Sequence, residues 1–280
     1  MSGDGFIVNV CLTGMVASKG DNPNVPTTPE EIAADCERCA DVGASIFHVH
    51  ARDEAGDPDW RAERYGATLR AIRARCPDAV LCVSTSGRRH PEPQRRAAAL
   101  DATPRPDMAS LTLGSVNFLR GASINDPDLI EGLASAMAER GIRPELEIFD
   151  VGMARTASRL AERGVLQPPL YANVLLGNAA SAGTTPPDLA AILASLPPDT
   201  IWSAGGIGRS QLPAAALGLV HGHGVRIGLE DNIRYPDGSP ADNPGLVERA
   251  VAFGRLLGRE PLPAEDIRRR LGLGPPSAAE

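Results

Sequence analysis

Two histidines two residues apart, His48 and His50, have the spacing that metal chemistry uses. They close the β-rich run ASIFHVH (44–50), so both imidazoles leave the strand on one face and can share an ion. Glu230, closing the run VRIGLE (225–230), offers a third ligand. A His₂Glu set leaves one tetrahedral position open, the catalytic form of a zinc site, where the ion acts as a Lewis acid on a carbonyl oxygen. An HxH pair is equally what packed or hydrogen-bonded histidines produce, so the reading depends on whether the fold brings Glu230 to them. Arg226 shares the parity of Glu230. Inside a barrel its charge needs Asp231, Glu147 or a bound carboxylate as partner. Asp231 is a candidate general base, and a structural ion pair with Arg226 is the alternative.

What must position these groups is an alternation of strands and helices. Candidate strands cover 6–13, 44–50, 79–85, 108–113, 145–149, 169–175, 200–204 and 225–230. Helical patterns lie between them, such as TPEEIAADCERCADVG, which opens on a Thr cap followed by Pro. Eight strands alternating with helices predict an α/β fold, a single-domain (β/α)₈ TIM barrel over 1–280, with about 273–280 as a frayed tail. No GxGxxG follows the first strand, as an open nucleotide-binding sheet would require. Strand parity separates two faces. Phe47 and Val49 oppose His48 and His50; Leu146 and Ile148 oppose Glu145 and Glu147. Leu81 and Val83 oppose Cys82, Ser84 and Ser86, and Leu111 opposes Ser110 and Thr112. The apolar face suits outer helices, and the polar groups gather near the C-terminal strand ends, where barrel active sites are built. Strands two and eight both flank strand one, which lets Glu230 meet the histidines.

The 28 Lys and Arg against 35 Asp and Glu give a net charge of −7, without general attraction for nucleic acid or an anionic membrane. No signal peptide or spanning segment is read, and five cysteines without a disulfide pattern suit a cytoplasmic setting. The Cys36–Cys39 CxxC is read as two buried helix cysteines, and His221-Gly-His223 as a loop at the barrel floor.

The segments HVHARD (48–53), STSG (84–87), PELEIFD (144–150), AGGIGR (204–209) and RIGLEDNI (226–233) resemble the β-keto acid cleavage enzymes, the family of 3-keto-5-aminohexanoate cleavage enzyme. They stand in the same order from residue 6 to about 258. The resemblance implies a zinc-dependent enzyme, usually a homotetramer, that reacts a β-keto acid with acetyl-CoA to give acetoacetate and a new acyl-CoA. It implies zinc on His48, His50 and Glu230; proton abstraction by Asp231 assisted by Arg226; the substrate carboxylate on Ser84 and Ser110; and support from Glu147. Ser86 stands where the family often has Gly, and Val16 where the aminohexanoate enzyme has a Glu for the substrate's amine, so a neutral or acidic side chain is expected. Arg88, Arg89 and His90 either favour an acidic one or belong to a solvated loop. Gly206, Gly208 and Arg209 either hold CoA phosphate or make a tight turn. Rival readings are an amidohydrolase-type barrel, whose further histidines are missing, a metal-dependent aldolase without CoA, and a non-catalytic metal-binding barrel.

Overall fold

The computed structural model describes residues 5–119 and 121–278. Eight parallel strands close a barrel: β1 Ile7–Cys11, β2 Ile46–Val49, β3 Val80–Val83, β4 Met108–Thr112, β5 Arg143–Ile148, β6 Tyr171–Leu176, β7 Ile201–Gly206 and β8 Gly224–Ile227. Each pairs with its sequence neighbour, and β8 returns to β1 in the register Val8↔Val225 and Val10↔Ile227. The ring is a single-domain (β/α)₈ barrel. Around it run α1 Pro29–Asp41, α2 Ala62–Arg75, α3 Pro93–Ala98, α4 Pro127–Glu139, α5 Val151–Glu162, α6 Pro186–Leu193, α7 Gln211–His221, α8 Asn243–Leu256 and α9 Ala264–Leu271.

Local sequence explains the helix starts. The side chains of Thr28, Asp126, Asp150, Thr185 and Asp242 each accept a backbone N–H three residues on, opening α1, α4, α5, α6 and α8. Such a cap contributes about 1 kcal/mol. Phe47, Val49, Leu81, Val83, Leu111, Leu146 and Ile148 join helix residues in one outer core, on the face that strand parity assigns them. A second apolar layer forms the barrel floor, where Ile7, Ile46, Val80, Met108 and Tyr171 meet Leu262 and the α9 residues Ile267 and Leu271.

Two features depart from the expected pattern. The eighth strand ends at Ile227, three residues short of the predicted end, because Gly228 turns the chain at φ 142°. A Cβ there would lie 2.2 Å from the Cys11 carbonyl oxygen, so only glycine fits. Glu230 and Asp231 therefore sit on a turn. Small antiparallel ladders form where no strand is expected: Ala51–Arg52 with Pro58–Asp59 after β2, and the hairpin Val116–Phe118 with Gly121–Ser123 after β4. In the tail, Leu273 N–H donates to Arg268 O at 2.8 Å, and Arg105 N–H donates to Ser277 Oγ at 3.3 Å. Residues 279 and 280 of that expected tail lie outside the described residues. All five cysteines are free and buried. Among the described residues no helix is long and apolar enough to cross a membrane.

Candidate active site and metal centre

His48, on β2, and His50, just beyond it, turn their Nε2 atoms together at 3.3 Å. Glu230 Oε2 lies 3.3 Å from His50 Nε2 and 3.7 Å from His48 Nε2. Ligands bound tetrahedrally to zinc at 2.0–2.1 Å stand roughly 3.3–3.4 Å apart, so the three atoms already have the spacing such an ion imposes. Glu230 Oε2 is also buried without a hydrogen bond. An orphaned carboxylate oxygen between two imidazoles is costly unless a cation completes it. On both counts the residues present fit a zinc-sized ion.

The surrounding network orients this set. His48 Nδ1 meets Glu145 Oε2 at 2.7 Å, which leaves Nε2 for the cluster. Glu145 also accepts from Asn9 at 2.6 Å, Asn173 at 2.8 Å and the Cys82 thiol at 3.2 Å. Burial works against charge on both partners, but Glu230 and Glu145 outweigh it and push His48 up to about 9. Glu145, also opposed by burial, is held down at about 2 by His48 and Arg226. His50 is lowered, chiefly by burial.

Arg226 is the hub of the acidic groups. It donates to Glu147 Oε1 at 2.8 Å, Glu230 Oε1 at 3.0 Å and Asp231 Oδ2 at 3.1 Å. Both partners foreseen for it from sequence are present. Thr112 Oγ1 donates to Glu147 at 2.6 Å. Asp231 is raised to about 6: burial dominates, Arg226 opposes it, and Glu230 and Glu147 add to it.

These groups open into a cavity of about 580 Å³. Val16, Ser84, Ser86, Gly208 and Arg88 line it together with His50, Glu147, Arg226, Glu230 and Asp231. Ser110 does not; it is buried, and its Oγ accepts the Thr85 N–H at 3.1 Å, while Thr112 reaches the cavity instead. Gly206 and Arg209 are also off the lining. Gly206 is fitted against the Ser210 backbone, where a Cβ would come within 2.3 Å. The loop amides are used internally: Ile207 donates to Leu176 O at 3.0 Å, Gly208 to Asp231 O at 2.7 Å and Ser210 to Ile207 O at 3.2 Å. Arg89 is exposed, and His90 packs edge-on to Trp60 with ring centroids 6.4 Å apart. At the floor, His223 Nδ1 accepts the Trp202 N–H at 3.2 Å.

Sequence reasoning missed Glu145 as a site residue although parity placed it inward. It also missed Arg52, whose guanidinium donates to the carbonyls of Gly14 at 2.7 Å, Ala17 at 2.8 Å and Gly56 at 2.8 Å. That clamp holds the loop carrying Met15 and Val16 to the cavity wall. An Arg two residues beyond the HxH pair was the available signal, but its carbonyl partners have no sequence signature.

Barrel, mouth cavity and a His–His–Glu set able to hold a metal define a (β/α)₈-barrel enzyme. The chain belongs to the beta-keto acid cleavage enzyme family, whose model matches residues 6–273. It is 34% identical to a 3-keto-5-aminohexanoate cleavage enzyme of Acetoanaerobium sticklandii, over 96% of this chain and 98% of that one. It is also 34% identical to the 3-oxoadipate:acetyl-CoA acetyltransferase of Cupriavidus necator, over 95% and 94%. The apo structure of ObcA shares the fold, with a TM-score of 0.78 at 22% identity over 90% of this chain; the chain spans 66% of that longer protein.

Proposed function

We propose that this enzyme is a zinc-dependent β-keto acid cleavage enzyme that converts a β-keto acid and acetyl-CoA into acetoacetate and a new acyl-CoA. The observation that carries the reading is the trio of ligand atoms at 3.3–3.7 Å, one of them orphaned, of which His50 and Glu230 open onto the same cavity as Asp231. His48, His50 and Glu230 would hold the zinc, which supplies Lewis acidity toward a keto oxygen. Asp231 removes a proton from the carbon between keto group and carboxylate, and a value near 6 leaves it ionised at neutral pH yet still basic. Arg226 holds that carboxylate in place, and Glu147 holds Arg226. Ser84 and Ser86 face the substrate carboxylate, with Ser110 behind them positioning the Thr85 amide.

Acetyl-CoA in the name of the Cupriavidus relative supports it as co-substrate. Because the amides of residues 207, 208 and 210 are committed within the loop, a phosphate contact there falls to the exposed Arg209. Val16 offers no partner for a substrate amine, which favours a neutral or acidic side chain. A homotetramer follows from the family resemblance, and free buried cysteines suit a reducing cytoplasm. The deciding experiment measures metal content and acetoacetate release from a β-keto acid panel, with and without acetyl-CoA, beside His48→Ala. Metal in the native protein and acetoacetate only with acetyl-CoA is the expected result. Turnover without acetyl-CoA points to an aldolase, and activity surviving in His48→Ala removes the metal-centred reading.

A further inference from the structure

The charged groups that line the cavity fall into two sets. At the inner end Arg226 is paired with Glu147, Glu230 and Asp231. Toward the rim, Asp21 is exposed and accepts from Ser18 N–H at 3.0 Å and Ser18 Oγ at 2.7 Å. Arg88 differs from all of these. Its side chain lines the cavity and is partly buried, yet it has no hydrogen bond or ion pair with any of the described residues. Its guanidinium carbon lies 4.1 Å from the centroid of the Phe118 ring.

That stacking matters chemically. A guanidinium lying on a ring uses its face, and its five N–H donors radiate from the edge in the plane. Held over the ring and without a hydrogen bond or ion pair among the described residues, Arg88 has its donors free for a planar anion, the bidentate arrangement carboxylates prefer. The surrounding wall is apolar, made by Val16, Phe118 and Leu119, which suits a short methylene chain. Ser84, Ser86 and Arg88 line the cavity at alternate positions of one segment, so Arg88 stands outward of the serines that face the inner carboxylate.

We infer that Arg88 is a specificity-determining residue that binds a second carboxylate at the far end of the substrate, making the preferred substrate a β-keto dicarboxylate. The inference rests on the β-keto acid reading above and narrows it. A CoA phosphate is the other anion able to reach a free guanidinium at this mouth, and the experiment separates the two sources.

The holoenzyme is assayed with two six-carbon 3-oxo acids that differ only in whether carbon six is a methyl or a carboxylate. Wild type, Arg88→Met and Arg88→Lys are compared, each with acetyl-CoA varied. Loss of a charge-assisted contact of this kind changes affinity ~10- to 100-fold. The dicarboxylate is expected to be preferred by such a factor in kcat/KM. Arg88→Met collapses that ratio through KM, and Arg88→Lys, keeping the charge without the fork, restores part of it. In parallel, calorimetry follows binding of adipate, which lacks the keto group, to holoenzyme and to Arg88→Met; weaker binding by the variant is expected. Preference for the methyl substrate in wild type, an equal loss on both substrates, or a rise confined to the acetyl-CoA KM overturns the assignment. If no β-keto acid is turned over but adipate binding still depends on Arg88, the reaction reading fails and the anion site stands. If turnover occurs and the ratio ignores Arg88, this inference fails alone.

Discussion

At the floor of the barrel Asp107 receives two guanidinium groups, Arg73 at 2.7 Å and Arg268 at 2.8 Å, and the Leu81 amide at 2.9 Å. At the mouth the proportion is reversed: Glu145, Glu147, Glu230 and Asp231 stand around the single guanidinium of Arg226 and two imidazoles. Both ends bury charge, where each ion costs several kcal/mol to desolvate. The floor compensates by spreading its arginines over carboxylate and carbonyl acceptors, including Ala79 O and Gly274 O for Arg268. Each cluster keeps a buried atom without a hydrogen bond, but of opposite kind: a donor at the floor, Arg73 Nε, and an acceptor at the mouth, Glu230 Oε2, amid a surplus of carboxylate. The floor cluster has an excess of cations, which donate into carbonyls of their own chain and tie elements together, whereas the acidic mouth cluster has the sign and the ligand atoms to receive a cation.

This contrast can be broken from either side. The largest effect is expected for His48→Ala: metal content falls to background and turnover is lost by more than ~1000-fold, the scale on which enzymes depend on a group acting in the transition state. Metal analysis beside steady-state rates checks it, and a fold retained by circular dichroism separates it from unfolding. Asp107→Ala should do the opposite, destabilising the protein by about 3–5 kcal/mol in urea titration because two buried guanidiniums lose their acid, while metal binding by the folded fraction persists. Glu145→Gln keeps the shape but weakens the hold on His48, and metal affinity is expected to drop ~10- to 100-fold in a chelator competition.

The pH profile sharpens the same division. Asp231 is raised to about 6, and the base form is the useful one. Activity should therefore be present above that value and fall about tenfold per pH unit below it, with the floor cluster contributing nothing to this limb. An Arg73→Lys variant that moved the acid limb would contradict the separation. The smallest effect is expected for Arg52→Lys, which keeps the charge but cannot fork to the Gly14, Ala17 and Gly56 carbonyls. About 1 kcal/mol of stability and a modest rise in KM should follow, read by thermal melts and kinetics.

The barrel and the two histidines were legible in sequence because strand periodicity is two and every strand has an apolar outer face. Glu230 lies beside the histidines, but it gets there by another route than parity implies. Parity extended β8 to it, but a glycine turn delivers it, and a φ of 142° at Gly228 cannot be read from alternation. Glu145 was on the correct face, yet its role depends on β1, β2, β3 and β6 meeting around it. The hairpin at 116–123 was invisible for a simpler reason: the alternation in VNFLRGAS lasts only from Val116 to Phe118, too short a run to mark a strand. Ser110 shows the converse, a residue carried over by resemblance whose hydroxyl the fold spends on a neighbouring amide.

The helix that covers the barrel floor is α9, the last in the sequence, and it contributes Ile267 and Leu271 to a layer shared with β1, β2, β3, β4 and β6. A ribosome emits those strands long before their cover. Until α9 emerges, Ile7, Ile46, Val80 and Met108 face an open end, and a nascent chain stalled before residue 264 carries an exposed apolar ring of the kind chaperones bind. Completion of this barrel thus waits for residues 264–271, and ribosome-bound chains stopped on either side of α9 should differ sharply in protease resistance.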